Sequence, residues 1–217
     1  MSPGPSSTIV AALEGTWAEM RDHHPDIPDV MFVSGKGTKG TEVKLGHWCP
    51  DRWHEYGERD NRLAEVFISG ECLAQGGRQV LTTLLHEAAH GVAYVRGIKD
   101  TSRGNRYHNG KFATLAEELG LVRPEVPSSV RGLSACTLPE NAEHGYDSFP
   151  RLEAAILVCI GGALELGPEA EEPRKRVPAP KYGCGCEDRF IRMSAKVADE
   201  GVILCGICEE PFLEVVT

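Results

Sequence analysis

No apolar run in the 217-residue chain approaches the roughly 20 residues that a membrane-spanning helix needs. The chain shows no internal repeat. Its first residues, MSPGPSSTIV, lack the charged start and apolar core of a signal peptide. An excess of positive charge is also missing: 23 lysines and arginines stand against 32 aspartates and glutamates, a formal net charge of −9. An acidic chain binds polyanions poorly as a whole, so a nucleic-acid contact would have to come from a local basic patch. These absences predict a cytoplasmic protein without a membrane partner, in a compartment that keeps thiols reduced. The remaining composition, 41% hydrophobic and 25% charged, is that of a folded domain. The length suits one such domain with a small appendage. Eight cysteines in a reducing compartment suggest metal ligands or free thiols before disulfides. Cys49, Cys72, Cys136 and Cys159 are scattered singly, whereas Cys184, Cys186, Cys205 and Cys208 form two close pairs.

Apolar residues at Ile9, Leu13, Trp17 and Met20 predict a helix from about Thr8, with Ser7 as its cap. Pro25 and Pro28 forbid its continuation. Val30–Ser34, Val43–Trp48 and Glu65–Gly70 read as strands of a small, largely antiparallel sheet, with Gly46 weakening the second. From Gln79 to Arg96, Val80, Leu84, Leu85, Ala88, Val92 and Val95 form the broad apolar face of a helix that Gly97 stops. Phe112, Leu115, Ala116 and Leu119 space a further helix, which Gly120 should end. Residues 122–150 are punctuated by proline and could cover a cleft; residues 151–166 read as one more helix. The pattern predicts an α+β fold over residues 8–170, a linker at 171–181 and a small cysteine-bearing module at 182–217.

The first helix after the sheet contains LLHEAAHGVAYV, in which His86, Glu87 and His90 have the spacing H-E-x-x-H. Positions i and i+4 share one helical face, so both imidazoles can reach one metal ion, and two imidazoles suit zinc. Glu87 is one residue on, placed to act as general base toward water that zinc acidifies. A catalytic zinc needs a third protein ligand. Ala93 and Arg96 occupy the positions that the metzincin pattern gives to Gly and His, which excludes that class. Glu117 and Glu118 are available, but His108, eighteen residues past His90 at the mouth of the next helix, is better placed. Its neighbour Tyr107 is a candidate for steadying an oxyanion or for packing on the helix.

HEAAH, the segment HNGKF at His108–Phe112 and the following AEELGL together resemble the SprT-like metallopeptidases, the group that includes the Spartan proteases. The likeness covers about Thr8 to Leu121 and resumes at the C-terminal cysteines. Asn109-Gly110 departs from that family's usual His-Gly, while Phe112 keeps its offset. The resemblance implies a minimal zincin-like domain, with His86, His90 and His108 on a catalytic zinc and Glu87 as general base. It also implies hydrolysis of peptide bonds, with proteins associated with DNA as one substrate class. The sheet edge that would pair with an extended substrate is expected at Glu65–Gly70.

Cys184, Cys186, Cys205 and Cys208 are separated as pairs by eighteen residues, a pattern that suits a tetrahedral structural zinc. Gly185 and Gly206 permit the tight turns, and RFIRMSA and VILCG are candidate strands of a zinc ribbon. A redox role for Cys205 and Cys208 lacks a βαβ context. Cys49 and Cys72 are weak candidates for nucleophiles, and Cys159 reads as packing. From Arg174 to Lys196 seven basic residues face Glu187 and Asp188. Lys181, Tyr182, Arg189 and Arg192 are the candidate nucleic-acid contacts of that stretch, or part of a solvated linker. A second reading is a non-catalytic zinc protein, a nucleic-acid-binding or regulatory module whose HEAAH metal is closed by a fourth ligand such as Cys72. That reading leaves Glu87 without a task.

Overall fold

The structure, a computed structural model, describes residues 4–39, 42–54, 62–160 and 179–215, with residues 158–160 described by backbone alone. The Cys159 side chain, residues 161–166 of the expected helix and 171–178 of the expected linker lie outside the described residues. The chain divides into two compact units, Met1–Glu169 and Ala170–Thr217. The first contains α1 (Pro5–His23), β1 (Val30–Gly35), β2 (Thr38–Lys39), β3 (Glu42–Val43), β4 (Gly46–His54), β5 (Arg62–Ser69), α2 (Gly70–Leu73), α3 (Gly77–Val95), β6 (Thr101–Ser102), β7 (Tyr107–His108), α4 (Gly110–Glu118), a 3-10 turn (Ala142–Gly145) and α5 (Phe149–Ile160). The second contains β8 (Lys181–Gly183), β9 (Phe190–Arg192), α6 (Ala195–Asp199) and β10 (Leu213–Glu214). This is an α+β arrangement with a small mixed sheet and six α-helices among the described residues. No described helix is long and apolar enough to cross a membrane.

The main sheet has the order β1-β5-β4, with β1 parallel and β4 antiparallel to β5. Two expectations are corrected. The sheet is mixed, because β1 and β5 run the same way. Glu65–Gly70 is not an edge: Glu65–Ser69 belongs to the central strand, and Gly70 opens α2. β5 buries Ala64, Val66 and Ile68 on one face and Glu65 on the other, as a strand flanked on both sides must. The edge beside α3 is β4. The expected strand Val43–Trp48 is split, since Val43 ends β3 and Gly46 begins β4. The first helix starts three residues before the expected Thr8, with Gly4 rather than Ser7 at its cap. Pro5 can open it because a first-turn N–H has no intrahelical acceptor to lose.

α3 is the centre of the first unit. Val80, Leu81, Leu84, Leu85, Ala88, Ala89, Val92 and Ala93 are all buried, so its apolar surface is far wider than one stripe. Val95, expected on that face, is exposed. β4 crosses α3 at Gly91, where a Cβ would come within 3.2 Å of the Trp48 ring and 3.1 Å of Pro28. A larger residue there would press on the Trp48 and Pro28 side chains. α4 and α5 also pack on α3. Both α3 and α4 end in left-handed glycines, Gly97 (φ +63°) and Gly120 (φ +90°). In each, the residue after the glycine donates its N–H five residues back, Ile98 to Ala93 and Leu121 to Ala116.

Charged groups tie the loops to this core. The Glu71 carboxylate accepts the amides of Gly37 (2.8 Å) and Thr38 (3.0 Å) and the Thr38 hydroxyl, which holds its pKa down to about 2. Arg78 donates to the carbonyls of Leu138 and Pro139 and to Glu143. Glu19 of α1 accepts the amides of Asp147 and Ser148, at the start of α5. A Leu84→Ala variant should lose about 2–5 kcal/mol of stability, because the packed surroundings cannot collapse into the space. Urea unfolding measures this, and a loss well below 1 kcal/mol would show that α3 is not the packing centre.

Candidate functional site

Successive turns of α3 place His86 and His90 on one face. The chain then turns at Gly97 and returns as the β6–β7 hairpin, whose last residue is His108. The hairpin's turn is built from left-handed Arg103, Gly104 and Asn105. Asn109 locks the return, donating its amide to the Asp100 carbonyl (2.9 Å) and its side-chain NH2 to that of Lys99 (2.9 Å). The Asn109 side-chain oxygen then caps α4 by accepting the amides of Lys111 and Phe112. The buried Phe112 ring packs against all three imidazoles, with centroids 4.5–4.8 Å away.

The Nε2 atom of His108 lies 3.2 Å from that of His86 and 3.1 Å from that of His90. His90 Nδ1 faces Asp100 Oδ2 at 2.5 Å, and His108 Nδ1 faces the Arg131 carbonyl at 3.3 Å. Each acceptor assigns the proton to Nδ1 and leaves Nε2 as a bare lone pair. Two lone pairs 3.1 Å apart repel unless a cation lies between them. A tetrahedral zinc with nitrogen ligands at about 2.0–2.1 Å would hold them about 3.3–3.4 Å apart, so the three histidines fit such an ion. Burial and mutual repulsion push the pKa of His86 well down and that of His108 to about 4, favouring the neutral, ligating form. Among the described residues the histidine cluster has three potential donors and no fourth.

Glu87 is buried. Burial pushes its carboxyl up to about 7, against the opposing pull of His90, Lys44 and the Trp48 backbone. A Cβ at Gly46 would come within 3.0 Å of Glu87 Oε1 and 2.6 Å of Thr83, so only glycine lets the β4 edge pass this close. Of the two carboxylates on α4, Glu117 pairs with Arg123 and Glu118 with Arg96. Neither joins the cluster. The Cys72 thiol donates to Thr83 Oγ1 at 3.3 Å; burial raises its pKa to about 11, and it too is outside the cluster. Cys49 lies at the irregularity in β4.

Adjacent strand residues point to opposite faces, so Tyr107 turns away from the site that His108 enters. Its ring sits under the Arg103 guanidinium, 4.6 Å from the centroid, and against Gly132. That position gives no support to an oxyanion role. Residues 122–139 pass behind the third histidine: His108 donates its amide to Arg131 and accepts from Leu133. Gly132 (φ +64°) faces the His108 carbonyl so closely that a Cβ would lie 2.1 Å from it. Asp100, Arg131 and Gly132 were not singled out from sequence. Asp100 follows His90 by ten residues with no periodicity to mark it, and a backbone carbonyl has no sequence signal.

In the second unit β8 pairs with β9 and β10 in a three-stranded antiparallel sheet. The sulfurs of Cys184, Cys186, Cys205 and Cys208 lie within 4.8 Å of one another, with Cys186 and Cys205 3.9 Å apart. A tetrahedral zinc with sulfurs at about 2.3 Å would space them about 3.8 Å apart, so the four thiols could form a zinc site. The amides of Cys208 and Ile207 pull the Cys205 thiol down to about 6, favouring a thiolate. Of the expected ribbon strands, RFIRMSA forms β9 and then α6, while VILCG contributes an isolated bridge at Leu204. Tyr182 is buried, and Lys181 lies over one face of the exposed Phe190 ring at 4.1 Å. Arg192 donates to the Ala179 carbonyl, and Arg189 is exposed. Arg174, Lys175 and Arg176 lie outside the described residues.

Comparison with protein-family models, curated proteins and solved structures finds no match.

Purified from zinc-containing medium, the chain should hold two metal equivalents, and His108→Ala should remove one. Asp100→Ala should weaken the histidine site about 10–100-fold while keeping all three ligands. Metal analysis against a competing chelator reads both. Two equivalents retained in His108→Ala would rule out the three-histidine centre.

Proposed function

We propose that the chain is a zinc-dependent endopeptidase of the SprT-like kind, with a zincin-like arrangement around His86, His90 and His108. The observation that supports this most is the convergence of three imidazole Nε2 atoms, without a fourth donor among the described residues, beside a buried carboxylate. A closed structural site would need a fourth ligand and would have no use for Glu87. Zinc, when bound, supplies a Lewis acid that polarises a peptide carbonyl and acidifies water. The chain supplies the proton handling and the orientation. Glu87 takes the proton from the attacking water and passes it to the leaving amine. Asp100 and the Arg131 carbonyl hold the rings of His90 and His108 in their ligating tautomers.

An extended substrate would lie on the free side of β4, where Gly46 and Trp48 pass over Thr83, Glu87 and Gly91 of α3. Backbone pairing along that edge gives affinity with little preference for side chains. The resemblance to the Spartan group carries DNA-associated proteins as a substrate class. In this reading the four-cysteine cluster holds a second, structural zinc.

Glu87→Gln should keep both metals and lose about 10²–10⁴-fold in hydrolysis of fluorescent casein and of a protein bound to single-stranded DNA. Phenanthroline should stop the wild type and added zinc should restore it. Cleavage by Glu87→Gln at the wild-type rate would sink the proposal.

A further inference from the structure

The free edge of β4 is shorter than the strand itself. In an antiparallel pair, successive residues turn their main-chain groups to alternate edges. The Ser69 amide donates to the Leu45 carbonyl at 2.9 Å, so Leu45 faces β5. The register continues with His47 opposite Phe67 and Cys49 opposite Glu65. His47 and Cys49 therefore face β5 as well, while Lys44, Gly46 and Trp48 turn their amides and carbonyls to the other side. Lys44 agrees with this parity: its amide donates to the Gly37 carbonyl at 3.2 Å.

At Lys44 the edge is already covered. Gly37 lies on it so tightly that a Cβ there would come within 2.1 Å of the Lys44 carbonyl oxygen and 2.6 Å of Ser69 Cβ. Thr38 and Lys39 pair with Val43 and Glu42 and extend the cover away from the site. Beyond Cys49 the edge is interrupted too. Pro50 has no N–H, Asp51 is left-handed (φ +51°), and pairing with β5 resumes only at Trp53 opposite Leu63. Among the described residues this leaves Gly46 and Trp48 with outward main-chain groups, Gly46 beside Glu87 and Trp48 beside Gly91.

Glu71, in the first turn of α2, holds the cover in place. Its carboxylate accepts the amides of Gly37 at 2.8 Å and Thr38 at 3.0 Å, and also the Thr38 hydroxyl. We propose that Glu71 is a positioning residue that sets the length of substrate the β4 edge accepts. It clamps Gly37 and Thr38 over Lys44 and restricts pairing to the carbonyls of Gly46 and Trp48. These two carbonyls take the N–H groups of two substrate residues spaced two apart, whichever way the substrate runs. The substrate is then a flexible polypeptide stretch of which only about three residues need be extended. A longer strand meets Gly37. The assignment rests on the endopeptidase reading for what occupies the edge; the clamp and the register do not.

The test is an N-methyl scan, which removes the N–H groups of a bound peptide one at a time. Overlapping fluorescein-labelled decapeptides of casein are screened by anisotropy for binding to the zinc-loaded Glu87→Gln chain, and the tightest is scanned. N-methylation should weaken binding about tenfold at two positions, two residues apart, and little elsewhere. Glu71→Ala removes the clamp, and Gly37→Ala pushes the cover off Lys44. Each, added to the Glu87→Gln chain, should keep both metals and gain a third sensitive position two residues to one side. Binding by no decapeptide, any number of sensitive positions other than two with the clamp intact, or an unchanged pattern in either metal-loaded variant would overturn the proposal. Cutting of the scanned peptide by the wild type is read separately. The two-position pattern without cutting would count against the endopeptidase reading and leave the clamp standing; cutting without the pattern would do the reverse.

Discussion

Polar groups on α3 must be satisfied inside a helix that is otherwise buried on most of its surface, and the rest of the first unit is arranged around that requirement. An unpaired carboxylate or imidazole in such a place costs several kcal/mol or changes its charge state. Glu87 lies under β4, where glycine at 46 leaves room for its carboxylate and for Thr83, and glycine at 91 leaves room for the Trp48 ring. His90 is met by Asp100, which requires the chain to reverse immediately after Gly97. His108 is met by Arg131, which requires residues 122–139 to pass behind β7. Each loop that looked merely irregular has a particular buried polar atom to serve.

The parts legible in the sequence were those with local rules. The helices around Leu84 and Phe112 follow from spacing, and their ends from Gly97 and Gly120. The three histidines follow from the i, i+4 geometry and from a short return loop. The parts that were not legible depend on pairing between distant segments. Nothing in Glu65–Gly70 alone says which strands lie on either side of it; its apolar run fits a central strand as well as an edge. The parallel pairing of β1 with β5 joins segments about thirty residues apart and has no local mark. The positions of Asp100 and Arg131 follow only once His108 is known to return to α3.

The two clusters that could hold a metal ion are built by different physics. The three histidines are held by a core that is packed without them, through Phe112 and the α3–α4 contact. The four cysteines sit in a unit whose only large buried side chain among the described residues is Tyr182. A unit that small has little apolar area to order its chain, so its cysteine cluster carries a larger share of the fold. Val202, Leu204, Ile207 and Leu213 are exposed for the same reason: there is no interior large enough to take them.

The bond from Glu19 to the Asp147 amide spans 128 residues and brings the first helix of its unit against the last. Such a closure has a consequence for the order of assembly on the ribosome. α1 is synthesised first, yet its partner α5 emerges only after the sheet, α3 and α4 are complete. Trp17 can meet Phe32 and the Pro28 carbonyl early, but the face of α1 that packs on α5 must wait while the histidine-bearing helix is already available to fold. The nascent chain passes through a stage in which the three histidines have emerged but the unit is still open at its first helix.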